Sequence, residues 1–233
     1  MKAKIAKGAL AAAMVLAGAA ANATPMFDVT VWAANTSGAG IGSSSQQALP
    51  SNPIATSANE VATFTLTGLP NWLVPGNGTN SLGNFINATY SGGTWTLPSD
   101  ISAFTPFNSL TQTQALNTIL STGGFGSASL FDLAFSTSQP VSATVVHDDG
   151  ISVYQGTTQI VNSAAPTTAT PTLVNLPTAG AYNLWYVEAN GAPSELNVTK
   201  YTSVPEPATL GLMGFALVGA GLARRQRKNK KAA

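Results

Sequence analysis

Along the middle of the chain, apolar positions alternate with polar ones more often than they recur at helical spacing. Phe27, Val29 and Val31 alternate with Asp28 and Thr30, while Phe64 and Leu66 alternate with Thr63, Thr65 and Thr67. A period of two puts such residues on one face of an extended segment, so both runs predict half-buried strands. Further strands are predicted at residues 130–135, 141–146, 151–154, 159–162, 172–176, 182–188 and 196–201. Gln139-Pro140, Asp149-Gly150, Thr178-Ala179-Gly180 and Asn190-Gly191 supply turns between them. Residues 110–120 break the pattern. Ala115, Leu116, Ile119 and Leu120 share a helical face, Asn108 and Ser109 are candidate caps, and Gly123-Gly124 closes the run, which predicts one short helix. Residues 37–58 and 75–83 read as long loops. Strands at a spacing of roughly 8 to 12 residues with little helix predict an all-β fold, an antiparallel β-sandwich.

Both ends depart from this pattern. Lys2, Lys4 and Lys7 precede an apolar stretch over residues 8–20, and Ala21-Asn22-Ala23 is the small-x-small pattern that signal peptidase accepts. Residues 1–23 therefore read as a secretion signal helix, with Ala21 and Ala23 at the cleavage site and Thr24 as the mature start. At the other end, Pro205-Glu206-Pro207 precedes an apolar run over residues 208–223 and the cations Arg224, Arg225, Arg227, Lys228, Lys230 and Lys231. Each proline fixes φ and disfavours helix in the residue before it, so the triplet is extended. As a transmembrane helix the run would rise roughly 24 Å against a hydrocarbon core of roughly 30 Å, enough for a marginal span. The basic stop over residues 224–231 would hold the C-terminus on the cytoplasmic side.

Triplet, span and basic end together resemble the PEP-CTERM sorting signal, over residues 204–233. The resemblance implies an exported substrate of an exosortase, held transiently in the inner membrane and then attached at the surface or released. It also implies cells that make exopolysaccharide and biofilm, with the body, residues 24–203, as the extracytoplasmic cargo.

The net charge of +1 hides an asymmetry, because nine of the ten basic residues lie in the two terminal segments. Between them Lys200 stands against Asp28, Glu60, Asp100, Asp132, Asp148, Asp149, Glu188 and Glu195, a net charge of about −7. A body that is acidic and lacks arginine gives a nucleic-acid role no electrostatic footing. The chain has no cysteine, which excludes disulfides, thiolate metal sites and a cysteine nucleophile.

Chemistry is sparse. Val145-Val146-His147-Asp148-Asp149-Gly150 leads into residues 151–156, and Ala179-Gly180-Ala181-Tyr182 opens an aromatic strand that ends at Glu188-Ala189-Asn190-Gly191. A strand, an Asp-Asp-Gly turn, a strand ending in Tyr-x-x-Gly and an Ala-Gly-x-Tyr entry resemble the protective-antigen-like β-sandwich of adhesins, toxins and glycosidases. In that family's carbohydrate-binding adhesins, adjacent aspartates bind calcium, which in turn binds sugar hydroxyls. The resemblance implies that role for Asp148 and Asp149, with Glu188 or Asn190 as further oxygen donors. The alternative is a plain β-turn shaped by Asp149-Gly150. His147, the only histidine, is either a general base, a pH-sensitive strand end or a structural residue. No nucleophile elbow, His-Glu-x-x-His motif or phosphate-binding loop occurs, so the chain reads as non-enzymatic. Trp72, Trp95, Trp185, Tyr90, Tyr154, Tyr182 and Tyr186 are read mostly as packing, with a sugar-stacking surface as the other option.

The sequence thus predicts an exported protein with a surface or extracellular-matrix role. A calcium-dependent carbohydrate-binding or adhesin module is the alternative, and a secreted hydrolase with carboxylates from distant strands is third.

Overall fold

Alternation becomes strand through most of the body. The computed structural model describes residues 24–35 and 42–203, together with residues 214, 216 and 217. The strands are β1 (Met26–Asn35), β2 (Glu60–Thr67), β3 (Asn71–Val74), β4 (Thr89–Ser91), β5 (Thr94–Thr96), β6 (Ile101–Pro106) and β7 (Ser127–Thr137). They continue with β8 (Val141–Asp148), β9 (Gly150–Gln155), β10 (Thr158–Ser163), β11 (Thr170–Leu176), β12 (Gly180–Glu188) and β13 (Ser194–Ser203). A seven-stranded sheet runs β10-β9-β12-β7-β1-β2-β6, a four-stranded sheet runs β11-β8-β13-β3, and β4-β5 is a separate hairpin. All recorded pairings within them are antiparallel. The whole unit spans Thr24–Ser203.

The two large sheets share one core. Phe27, Val29 and Val31 of β1 join Phe131 and Leu133 of β7 and Tyr182, Leu184 and Tyr186 of β12, opposite Val141 and Val145 of β8 and Leu196 and Val198 of β13. A second, smaller core covers the other face of the large sheet. There Ala48 and Ile54 pack on Ala128, Leu130, Trp185 and Val187, and Trp32 stacks on Trp185 with ring centroids 6.0 Å apart. The central strands β7 and β12 are therefore covered on both faces, which is why they read as long apolar runs rather than clean alternation.

Several expectations need correction. The helix expected over residues 110–120 is confined to Gln112–Leu116, and a second helical turn, Leu82–Phe85, begins at the end of the loop expected over 75–83 and runs past it. Thr111 caps the first, its hydroxyl accepting from Gln114 N while the Gln114 side chain accepts from Thr111 N. Asn108 and Ser109, the expected caps, have φ of +52° and +61° and lie outside the helix. Short 3-10 turns, at Ser43–Gln46 and Ser57–Asn59, punctuate the other loop. The signal at 1–23 and the motif residues Pro205, Glu206, Pro207 and 224–231 lie outside the described residues, as does the 208–223 span except for helical residues 214, 216 and 217. No helix among the described residues is long and apolar enough to cross a membrane.

Asp148-Asp149-Gly150 is not a hairpin turn. β8 belongs to the four-stranded sheet and β9 to the seven-stranded one, so Asp149 alone carries the chain from one layer to the other. Gly150 is needed there for space. A Cβ on it would lie 2.1 Å from Ala164 O and 2.6 Å from Ala164 C, both backbone atoms. The same Ala164 carbonyl accepts from Ala48 N at 2.9 Å, so shifting it to make room would strain that hydrogen bond. Gly150→Ala is expected to destabilise the protein by about 3 kcal/mol through overpacking, measured by urea denaturation. Gly42→Ala, whose Cβ would meet nothing among the described residues nearer than Ser44 Oγ at 4.0 Å, is the control expected to change little.

Candidate functional site

The site is built where β8 hands the chain to β9 and β12 runs out beside it. β8 delivers His147 and Asp148, Asp149 follows, β12 supplies Tyr186 and Glu188, and β13 begins with Ser194 and Glu195. The loops before β4 and β7 add Asn80 and Ser121. His147, Asp148, Asp149, Glu188, Asn80, Ser121 and Ser194 are all buried. The peptide joining Asp148 and Asp149 is cis.

His147 is a tether. Its Nδ1 meets the Asp149 carbonyl, which can only accept, so Nδ1 carries the proton. Nε2 then accepts from Thr172 Oγ1 at 2.7 Å. Burial pushes the imidazole below its ordinary pKa, which suits this neutral form. Of the three options open from sequence, the structural one describes this geometry.

The two aspartates are held differently. Asp149 accepts from Ala189 N at 2.7 Å and also from the backbone N–H groups of Asn190 and Thr167. Burial still raises its pKa, those amides acting against the rise. Asp148 is pushed up to about 6, first by burial, then by the Asp149 charge and by Glu195, its partner across β8 and β13, while the Ala169 N–H acts against the rise. Glu188 and Asn190, the two further donors considered from sequence, are engaged elsewhere: Asn190 Oδ1 accepts from Gly124 N at 3.1 Å. Among the described residues no group of three or more His, Cys, Asp or Glu side chains is placed to hold a metal ion.

Sequence reasoning did not find the network around Glu188. Its Oε1 accepts from Ser121 Oγ and from Asn80 Nδ2 at 3.1 Å, Ser121 Oγ accepts from Gly191 N at 2.7 Å, and Asn80 Oδ1 accepts from Ser194 Oγ at 2.9 Å. Tyr186 Oη sits between the Asp148 carbonyl and Glu188 Oε2, the latter at 2.9 Å. A phenol has one hydrogen and the carbonyl can only accept it. Both contacts are hydrogen bonds when Glu188 is a carboxylic acid whose Oε2–H donates to Tyr186 Oη. Burial, above all, pushes Glu188 up to about 8, with the Asp149 charge adding to it. A neutral acid thus ties the end of β12 to the β8–β9 crossing.

Outside this body lies the tail. The C-terminal region matches the family model described as the PEP-CTERM protein-sorting motif, over residues 203–228. That match covers Pro205-Glu206-Pro207, the apolar run and the first four cations of the basic end. The chain carries a PEP-CTERM sorting motif. A PEP-CTERM motif marks an exported chain for membrane anchoring and exosortase processing. No curated protein matches the chain. Two solved structures are similar to the body. One is the PA14 domain of the antifreeze protein MpAFP, with 11% identity and a TM-score of 0.45 over 78% of this chain and 83% of that one. The other is the PA14 sugar-binding domain of an RTX adhesin, with 14% identity and a TM-score of 0.43 over 78% of this chain and 99% of that one.

Proposed function

We propose that the body is a non-catalytic interaction domain that the PEP-CTERM motif delivers to the cell surface or extracellular matrix of an exopolysaccharide-producing, biofilm-forming cell. Signal peptidase acts on one end and exosortase on the other, with the inner membrane as a transient station. The join between body and tail carries this reading: β13 ends at Ser203 and the motif begins at residue 203, so removal of the tail leaves the sandwich whole. Two further features support a role in binding rather than chemistry. Both nitrogens of His147 are engaged, and Glu188 is buried and bonded on both oxygens, so neither is free to move a proton on a substrate.

A calcium-dependent carbohydrate-binding module is the second reading. It is favoured by Asp148, a carboxylate crowded by Asp149 and Glu195 whose charge a hard cation would offset. Asp148 and Asp149 would hold the ion, backbone carbonyls and water completing its shell, and the ion would supply coordination of sugar hydroxyls. Co-sedimentation of the purified protein with matrix prepared from the same cells separates these readings. The surface role predicts co-sedimentation, and its absence in both calcium and EDTA contradicts it. Binding that EDTA or Asp148→Asn abolishes selects the calcium module.

A further inference from the structure

One aromatic ring stands apart from both cores. Tyr90 is 55% exposed, the only aromatic side chain among the described residues that is more than half open to solvent. It lies on the β4-β5 hairpin, which belongs to neither large sheet, directly across from Trp95. Only Trp95 reaches back from this hairpin into the core.

The mounting of that pair is rigid. The Trp95 ring lies close over Gly83, where a Cβ would meet Cζ3, Cε3 and Cη2 at 2.7–2.8 Å, so only glycine lets the indole seat. Trp95 Nε1 donates to Asn117 Oδ1 at 2.9 Å, which fixes the ring in its plane. Tyr90 in turn packs on Trp95, with centroids 5.0 Å apart and planes at 51°. A lone exposed apolar side chain is ordinary. An exposed aromatic seated on a second, pinned ring has already lost the freedom that binding would otherwise cost.

The surroundings select the ligand. From residue 61 to residue 131 the only charged side chain is Asp100, and the hairpin, both helical turns and Asn117 all fall inside that stretch. On the Tyr90–Trp95 face it offers instead the two amide hydrogens of Asn117, whose oxygen is taken by the indole, while Thr89, Ser91, Thr94 and Thr96 pair on the opposite face of the hairpin. An aromatic face beside a neutral amide matches a sugar ring, which has a C–H face and a rim of hydroxyls. The body's net charge of about −7 argues against polyanions.

We propose that Tyr90, seated on Trp95 beside Asn117, is a stacking site for a sugar ring of a neutral polysaccharide and works without calcium. This rests on the surface-interaction reading above and supplies the chemistry of its ligand. It shares no residue with the Asp148–Asp149 crossing.

The test is affinity electrophoresis of the full-length chain in polyoxyethylene detergent with EDTA, through gels containing hydroxyethyl cellulose or dextran, neutral polymers that the basic ends of the chain do not bind by charge. Retardation is expected in at least one of these gels. Tyr90→Ala and Tyr90→Thr should weaken it about tenfold, the order of one base–aromatic stacking contact, with melting temperature unchanged, while Tyr90→Phe retains it and Asp148→Asn has no effect. The inference is overturned by no retardation in either neutral gel, or by equal retardation of wild type, Tyr90→Ala and Tyr90→Thr. Retardation that appears only with calcium and disappears in Asp148→Asn also overturns it, and places binding at the aspartate pair. If the protein sediments with native matrix yet enters every gel unretarded, this inference fails while the broader surface role stands.

Discussion

Glu188→Gln is expected to leave the protein folded and to flatten its dependence on pH, whereas Glu188→Ala is expected to cost about 3 kcal/mol or more. The difference follows from hydrogen count. A glutamine oxygen accepts from Asn80 and Ser121 as Oε1 does, and an amide hydrogen reaches Tyr186 Oη as the acid proton does. Alanine removes all of these partners at once from a position with no exposed surface of its own. The pH effect has a definite sign. Glu188 is raised from 4.5 to about 8 on folding, so its stabilising contribution is complete below 4.5 and is lost as pH rises through about 8. Asp148, raised from 3.8 to about 6, acts in the same direction over a lower window. His147 acts the other way. Its folded pKa lies below 6.5, so the stability it contributes is present above 6.5 and lost as pH falls through the lower folded value. Thermal melts from pH 4 to 9 should therefore show highest stability on the acidic side of neutrality and a decline as pH rises toward about 8. In Glu188→Gln most of the decline between neutrality and about pH 8 should vanish. Equal declines over that window in wild type and Glu188→Gln would contradict a protonated Glu188.

The part of the fold legible in the sequence is the part with one covered face. Phe27, Val29 and Val31 alternate because the other side of that half of β1 is left to Asp28 and Thr30. β12 was located from its aromatic residues, but nothing in the chain announces that Trp185 and Val187 face a second core, because that core comes from distant Ala48 and Ile54. β3 to β6 were missed because four of the sandwich's shortest strands lie in a Thr-, Asn- and Gly-rich stretch where alternation is too brief to count. Helix caps failed for a local reason: two capping-type residues precede the helix, but the chain is left-handed at Asn108 and Ser109 and reaches an extended N-cap only at Thr111.

At the candidate site, adjacency made Asp148 and Asp149 visible, and where a β-turn at Asp149-Gly150 was the alternative the chain crosses between sheets instead. Glu188 stood out only as an oxygen donor, since its partners are Asn80, 108 residues away, and Ser121, 67 residues away. No local pattern encodes such contacts. Trp95 and Tyr90 were visible as aromatics, but that one is seated and the other open depends on Gly83 and Asn117, which sequence spacing does not connect.

The second large effect concerns the tail. Replacing Pro205-Glu206-Pro207 by three alanines is expected to block processing nearly completely and to accumulate an unprocessed membrane form. The expectation rests on residue types alone: proline disfavours helix at and before its own position, and alanine, the best helix former, removes that bar at the point where an enzyme would have to reach the chain. Gly211, Gly214, Gly219 and Gly221 likewise lower helix propensity within the apolar run. Removing Arg224, Arg225, Arg227, Lys228, Lys230 and Lys231 should act earlier, by impairing membrane retention before processing.

Intact mass spectrometry of the protein from membrane, surface and medium fractions, in cells with and without the exosortase, tests delivery most directly. With the enzyme, the account predicts a species that begins at Thr24 and lacks the basic end, outside the membrane fraction. Without it, the species should begin at Thr24 and keep its tail in the membrane. Full-length tails and identical locations in both strains would contradict the account.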